Sequence, residues 1–213
     1  MAIRVNVGCG PTPTPGWLNI DNSPSVWIGR HPALLAALEP SGLLSNERLR
    51  LARRAREAGI VWGDARRLPV ADGSADVVYC SHLLEHLDRR EVQGFLAEVS
   101  RVLRSGGVLR IAVPDLRLFV ERYLESGDAD AFLDDLRLAH ERPRLFSFPK
   151  VLFRTARRHA WMYDESSLIQ LLEAHGFVGV TALPAGKTMI ANAGELDLRE
   201  REDESLYVEA RRP

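Results

Sequence analysis

The chain has 213 residues, with 28 Lys+Arg against 29 Asp+Glu, a formal net charge of -1 and 46% hydrophobic residues. That balance excludes disorder as the dominant state, and it excludes a surface that is basic all over and binds polyanions, nucleic acid among them, without discrimination. Cys9 and Cys80 are too few and too far apart for a CxxC pair or a four-ligand zinc cluster, so reduced thiols and a cytoplasmic home are expected. The first ten residues lack the pattern of a secretory signal, and no stretch approaches the roughly 18 apolar residues of a membrane span. Basic residues are almost all arginine, the exceptions being Lys150 and Lys187, which reads as coding bias.

Residues 3–7 alternate as a strand and run into Gly8-Cys9-Gly10, then into a loop stiffened by Pro11, Pro13 and Pro15, where no helix can begin. A second strand is predicted over 17–21, helices over 32–39 and 45–58 with Ser45 as cap, and a third strand over 60–62. The fourth strand covers 76–80. Asp88 then caps a helix whose Val92, Leu96, Val99 and Leu103 recur at helical spacing, with Gly106-Gly107 as its expected left-handed terminator. A fifth strand over 108–113, a helix over 116–125, a charged region over 128–160, a helix between Asp164 and Gly176 and strands over 177–183 and 205–210 complete the chain. Strands alternating with helices imply an α/β doubly wound sheet.

A strand running into Gly-Cys-Gly lets backbone N–H groups approach a nucleotide-like ligand closely. The dinucleotide fingerprint fails, because Pro13 stands where its third glycine belongs, and neither lysine is set as in a P-loop. Nicotinamide, flavin and P-loop NTP chemistry are therefore disfavoured. Asp21 after strand two, Asp64 after strand three and Ser81-His82 after strand four fall at strand C-termini, which in an open α/β sheet converge on one crevice. A loop aspartate alone is most often a turn residue. In register with the glycine loop, Asp21 is placed to accept from the hydroxyls of a ribose and Asp64 from an adenine amino group.

These segments, Val5 to Gly10, Gly16-Trp17-Leu18-Asn19-Ile20-Asp21, Gly63-Asp64-Ala65, Ala75 to Leu87 and Leu103 to Leu109, resemble a class I S-adenosylmethionine-dependent methyltransferase, of the type 11-like kind in its Gly-Trp-x-Asn-x-Asp variant. The resemblance implies a Rossmann-like seven-stranded mixed sheet with the last strand antiparallel, in three α/β/α layers, and S-adenosyl-L-methionine as cofactor. It implies a cofactor site of Asn6, Gly8, Cys9, Gly10, Asp21, Asp64, Ala65, Ser81 and His82. Gly8 and Gly10 would line the methionine end, and Ser81-His82 would close the sulfur side. Asn6 departs from the family's usual acid, so an amide oxygen would meet the cofactor's ammonium group. The connection of 11–16 is also short for a parallel crossover. A lost first helix explains it, whereas a hairpin would turn Asp21 away from the ribose.

His82-Leu83-Leu84-Glu85-His86 matches H-x-x-E-H, which on a helix would put all three polar groups on one face and make a zinc peptidase the competing class. A metal-assisted methyltransferase is a further alternative, but because the motif starts at a strand end inside the methyltransferase-like series, no metal ligand is assigned. His82 and the loop residue His159 are the candidates for removing a proton from an acceptor. A sulfonium needs mainly alignment and exclusion of water, so a dedicated base is not required.

Residues 137–159 hold seven basic residues, Arg137, Arg142, Arg144, Lys150, Arg154, Arg157 and Arg158, against Glu141 alone. They read as a substrate-recognition insertion or lid at about 128–160 within a single domain over 1–213, suited to an anionic substrate or an anionic membrane surface. The expectation is an enzyme that methylates a small-molecule or glycan-like acceptor at oxygen, with neither nucleic acid nor an integral membrane as partner. A non-catalytic module that keeps the cofactor fold is the third alternative.

Overall fold

The computed structural model describes residues 2–137 and 159–213. Seven strands form one sheet in the order β3-β2-β1-β4-β5-β7-β6: β1 Ile3–Val7, β2 Leu18–Asp21, β3 Val61–Trp62, β4 Ala75–Ser81, β5 Leu103–Pro114, β6 Val178–Leu183 and β7 Ser205–Arg211. The first five pair in parallel, and β7 runs antiparallel to both β5 and β6. This is the Rossmann-like mixed sheet that the sequence implied. β1 and β2 are parallel, with Val5 opposite Leu18 and Val7 opposite Ile20, so the hairpin alternative is out and the first crossover has lost its helix.

The period-two side-chain alternation of β4 sorts the core into two layers. Val78 and Cys80 face helix α4 (Arg89–Val102), which buries Val92, Phe95, Leu96, Val99 and Val102, and helix α7 (Glu165–Ala174), which adds Leu168 and Leu172. Val77 and Tyr79 face the other way, onto Trp17, Tyr207, Ile190 and Leu196, so the 184–204 connection supplies much of that second cover. Each such large side chain fully removed from water contributes about 1.5–3 kcal/mol. Helices α1 (Pro24–Gly29), α2 (Pro32–Leu38) and α3 (Asn46–Glu57) pack a third cluster of Ile28, Leu35, Leu49 and Ala52. Helices α5 (Leu116–Ser126) and α6 (Ala129–Asp135) follow β5.

Four local readings change. Helix α4 ends at Val102 without a glycine cap: Leu103 is already extended, and Gly106, at φ +71°, lies inside β5 where the register against β4 shifts. Helix α1 was not anticipated, although Ser23 caps it and Pro24 opens it, both ordinary start signals. Helix α6, capped by Asp128, lies within the charged region at 128–160, to which no element had been assigned. The H-x-x-E-H segment is not an α-helix: His82 has φ +49° and only Leu84–His86 forms a single 3-10 turn. No helix among the described residues is long and apolar enough to cross a membrane. Most of the basic segment lies outside the described residues.

Candidate functional site

The C-terminal ends of β1, β2, β3 and β4 open on a crevice of about 420 Å3 lined by Val7, Gly8, Asp21, Asn22, Gly63, Asp64, Ala65, Arg66, Leu83, Leu87 and Glu91. Gly8 is required there twice over. Its φ of +72° is left-handed, and a Cβ on it would stand 3.1 Å from Leu83 Cδ1.

Asp21 is 1% exposed, and its carboxylate accepts from the Gly10 amide at 3.1 Å and the Ser23 amide at 2.7 Å. Asn19, two residues earlier on the same strand face, clips the proline loop: its Oδ1 accepts from the Thr14 amide at 2.8 Å and its Nδ2 donates to the Thr14 carbonyl at 2.9 Å. Asn6 joins this network by donating to Thr14 Oγ1 at 3.1 Å, and it does not line the crevice. The Asn-x-Asp spacing therefore does two jobs, one holding the loop that replaces the missing helix and one holding the glycine turn. Cys9 packs with Val26, Ala55 and Ile60, and burial together with the nearby Asp21 pushes its thiol up to about 12. It supports the loop from behind.

Asp64 and Ala65 lie in the crevice wall as expected, but Asp64 is engaged. Arg66 donates from its amide at 2.8 Å, from Nε at 3.0 Å and from a terminal guanidinium nitrogen at 2.7 Å, and it also reaches Glu91 at 3.2 Å. The Arg66 guanidinium holds the Asp64 carboxyl below the usual carboxylate range.

His82 faces a second cleft, of about 440 Å3, whose wall includes Phe119, Arg122, Arg137, His159 and Arg201 together with Asp134, Asp135 and Glu204. Its amide donates to the Ala112 carbonyl at 2.9 Å, and its Nε2 lies 3.0 Å from Ser205 Oγ. Ser205 Oγ spends its one proton on the Glu200 carbonyl at 3.2 Å, which assigns the proton of that contact to His82 Nε2. His82 Nδ1 then points at Glu85 Oε1, 3.4 Å away. His159 is drawn to the same place because the amides of Ala160 and Trp161 donate to the Glu85 carbonyl at 2.6 and 3.2 Å. Burial, first of all, pushes the His159 imidazole down to about 4.

The two clefts share one piece of backbone, since Leu83 lines the first and His82 the second. Sequence reasoning missed Leu83, Asn22, Arg66 and Glu91 in the first, and Phe119, Arg122 and Arg201 in the second. Arg66 carried a signal, an arginine two residues after a turn aspartate. The others become neighbours only through the sheet. Gly10 and Ser81, expected in the cofactor site, are not among the residues that line this crevice, and Gly10 bears on it through its bond to Asp21.

A cradle that a Cβ at Gly8 would narrow, walled by a buried carboxylate on β2 and by a backbone turn at Gly63 to Ala65, fits the nucleoside-bearing S-adenosylmethionine that the resemblance implies. An H-x-x-E-H zinc peptidase needs its helix, and this segment does not form one. The family profile described as "Methyltransferase domain" matches residues 5–111, just over half of the chain. No curated protein matches significantly. Among solved structures, an S-adenosylmethionine-dependent methyltransferase of Thermotoga maritima, described as a possible histamine N-methyltransferase, is 18% identical over 100% of this chain and 83% of its own, with a TM-score of 0.52. A SAM-dependent methyltransferase from Methanosarcina mazei is 16% identical over 98% and 91%, with a TM-score of 0.50. The magnesium protoporphyrin IX methyltransferase of Synechocystis PCC 6803 with bound SAH is 15% identical over 100% and 74%, also at 0.50. At those identities the likeness is one of fold.

Proposed function

The chain belongs to the methyltransferase-domain family and is an S-adenosylmethionine-dependent methyltransferase; we propose that it methylates a small, polar, glycan-like acceptor at oxygen, in the cleft between His82 and His159. The observation that supports this most is the shared wall: Leu83 lines the crevice that holds Gly8, Asp21 and Asp64, and His82 lines a polar cleft.

The cofactor supplies a methyl group on a positively charged sulfur. Asp21 and the Asp64-Ala65 turn hold the nucleoside, and Gly8 lets the backbone approach. Leu83, packed against Gly8, keeps water from the inner end of the crevice. In the second cleft Arg122, Arg137 and Arg201 are matched by Asp134, Asp135 and Glu204, so its described lining is charge-balanced and suits a hydroxylated acceptor better than a strongly anionic one. His159 stays neutral at physiological pH and accepts a hydrogen bond from the acceptor hydroxyl. His82, with Nε2 committed to Ser205, serves to position it.

Calorimetric titration with S-adenosylmethionine and S-adenosylhomocysteine, followed by transfer of labelled methyl groups to a panel of glycans, phenols and amines, tests the proposal. O-methyl products from hydroxylated acceptors are expected. Exclusive N-methylation would overturn the acceptor assignment, and tight cofactor binding with no turnover on any pool would favour the non-catalytic module.

A further inference from the structure

Behind the wall that separates the two clefts, Glu85, His86 and His159 bring one ligand atom each to within 4.8 Å of one another, a grouping that the sequence spacing did not disclose because His159 arrives from a distant loop. Glu85 is 1% exposed, and neither of its carboxylate oxygens has a hydrogen-bond donor among the described residues. A buried carboxylate without donors costs several kcal/mol unless a cation answers it. What faces Glu85 is imidazole: His82 Nδ1 at 3.4 Å and His86 Nε2 at 3.8 Å, both measured to Oε1. With His82 donating from Nε2 to Ser205, its neutral form turns a lone pair toward that oxygen, acceptor against acceptor. His159 adds a buried Nδ1 that also lacks a partner among the described residues. Its ring stands 5.2 Å from that of His86, centroid to centroid.

We infer that Glu85, His86 and His159 form a binding site for a divalent first-row transition metal, Zn2+ or Mn2+ in class, set into the wall of the second cleft. Two imidazoles and one carboxylate suit such ions better than Mg2+ or Ca2+, which favour all-oxygen sets. Bonds of about 2.0–2.2 Å put tetrahedral ligand atoms roughly 3.3–3.6 Å apart, so closure needs side-chain rotation of about an ångström. The backbone is already positioned, because the Ala160 and Trp161 amides on the Glu85 carbonyl tie the two segments together. Arg89, lying 4.7 Å over the Trp161 ring, secures the outer side. Three protein ligands leave a coordination position for water or for an oxygen of the acceptor. That role rests on the second cleft being the acceptor site, and the metal binding does not. With His159 engaged as a ligand, the cation takes over its part in holding the acceptor oxygen.

The test is calorimetric titration of chelator-treated protein with Zn2+, Mn2+ and, as control, Mg2+, alongside metal analysis by mass spectrometry. One equivalent of Zn2+ or Mn2+ per chain is expected, at micromolar affinity or tighter. Loss of even an outer partner of a metal site weakens binding by about 10–100-fold, so Glu85→Gln, His86→Ala and His159→Asn should each cost at least about 100-fold. His159→Asn is the variant least exposed to folding failure, and S-adenosylhomocysteine binding plus a thermal melt report integrity for all three. No stoichiometric transition-metal binding, or binding that all three substitutions leave unchanged, overturns the inference and makes the cluster a histidine-carboxylate ion pair. Metal binding without S-adenosylhomocysteine binding would instead fault the cofactor crevice and leave the metal site standing.

Discussion

The Gly10 amide donates to Asp21 Oδ2 at 3.1 Å, so the acid at the end of β2 holds the glycine turn at the end of β1. Asp21 also accepts from Ser23 at 2.7 Å and thereby aims the start of α1. The residue expected to hold the ribose is thus first of all what shapes the wall the ribose would meet.

Replacing Asp21 removes both functions. Hydrogen bonds to a charged partner contribute about 1.5–3 kcal/mol each, so Asp21→Ala should weaken S-adenosylhomocysteine binding by roughly 10- to 100-fold or more and lower the thermal midpoint as well. Asp21→Asn, which keeps the shape and half the acceptors, should fall between. Calorimetry on both variants checks this, and unchanged affinity in Asp21→Ala would remove the residue from the site.

Gly8→Ala meets strain and a close contact together, at φ +72° with Leu83 Cδ1 3.1 Å from the added Cβ. A destabilisation of about 1–2 kcal/mol is expected from the left-handed backbone alone. Leu83→Ala removes that contact but also empties a core site at about 2–5 kcal/mol, so in a double-mutant cycle by urea titration the two losses should be less than additive.

Arg66 competes for the Asp64 carboxylate that a cofactor amino group would use. Both side chains are substantially exposed, and such pairs contribute only about 0–1 kcal/mol to stability. Arg66→Ala should therefore leave the melting temperature nearly unchanged and tighten S-adenosylhomocysteine several-fold. A large loss of affinity would mean that Arg66 orients Asp64 for the ligand.

Arg110 and Glu209 sit directly opposite each other on β5 and β7, fully buried, with Arg110 donating to Glu209 Oε1 at 2.6 Å. Thr188 and the Met189 amide also donate to Glu209, each at 2.6 Å. Breaking a buried pair strands a charge, and Glu209→Ala should cost about 3–5 kcal/mol, whereas Arg110→Met with Glu209→Leu should recover much of it. Denaturant midpoints of the single and double variants decide.

The Cys9 thiol, pushed up to about 12, is protonated at all ordinary pH values, and burial pushes Cys80 up in the same direction. The thiolate is the nucleophile, so both should resist alkylation at pH 8 and become modified only on unfolding. Mass spectrometry after a short alkylating pulse, with and without denaturant, reads this directly. Rapid labelling of native Cys9 would place it in the open crevice.

Several features were legible in the chain because they are local. Strands and caps follow from side-chain alternation and from residues such as Ser45, Asp88 and Asp164, each of which caps its helix. The placing of Asp21 and Asp64 at strand ends followed from the same pattern. The helix that a peptidase reading of His82–His86 would need does not form, because a five-residue spacing says nothing about backbone and the left-handed φ at His82 breaks the run before it starts. Asn6 illustrates a subtler limit. Its strand position was right, but Thr14, brought back by Asn19, draws its side-chain amide into the loop.

Composition, the succession of strands and helices along the chain and the glycine turn were thus properties of the chain itself, since short-range sterics and hydrophobic periodicity act between near neighbours. The meeting of Glu85 and His86 with His159, the Arg66 grip on Asp64 within a shared crevice wall and the Arg110–Glu209 pair depended on folding. Side chains far apart in sequence acquire partners only when parallel strands deliver their ends to one edge, and burial then makes each unmatched charge costly enough to select its counterpart.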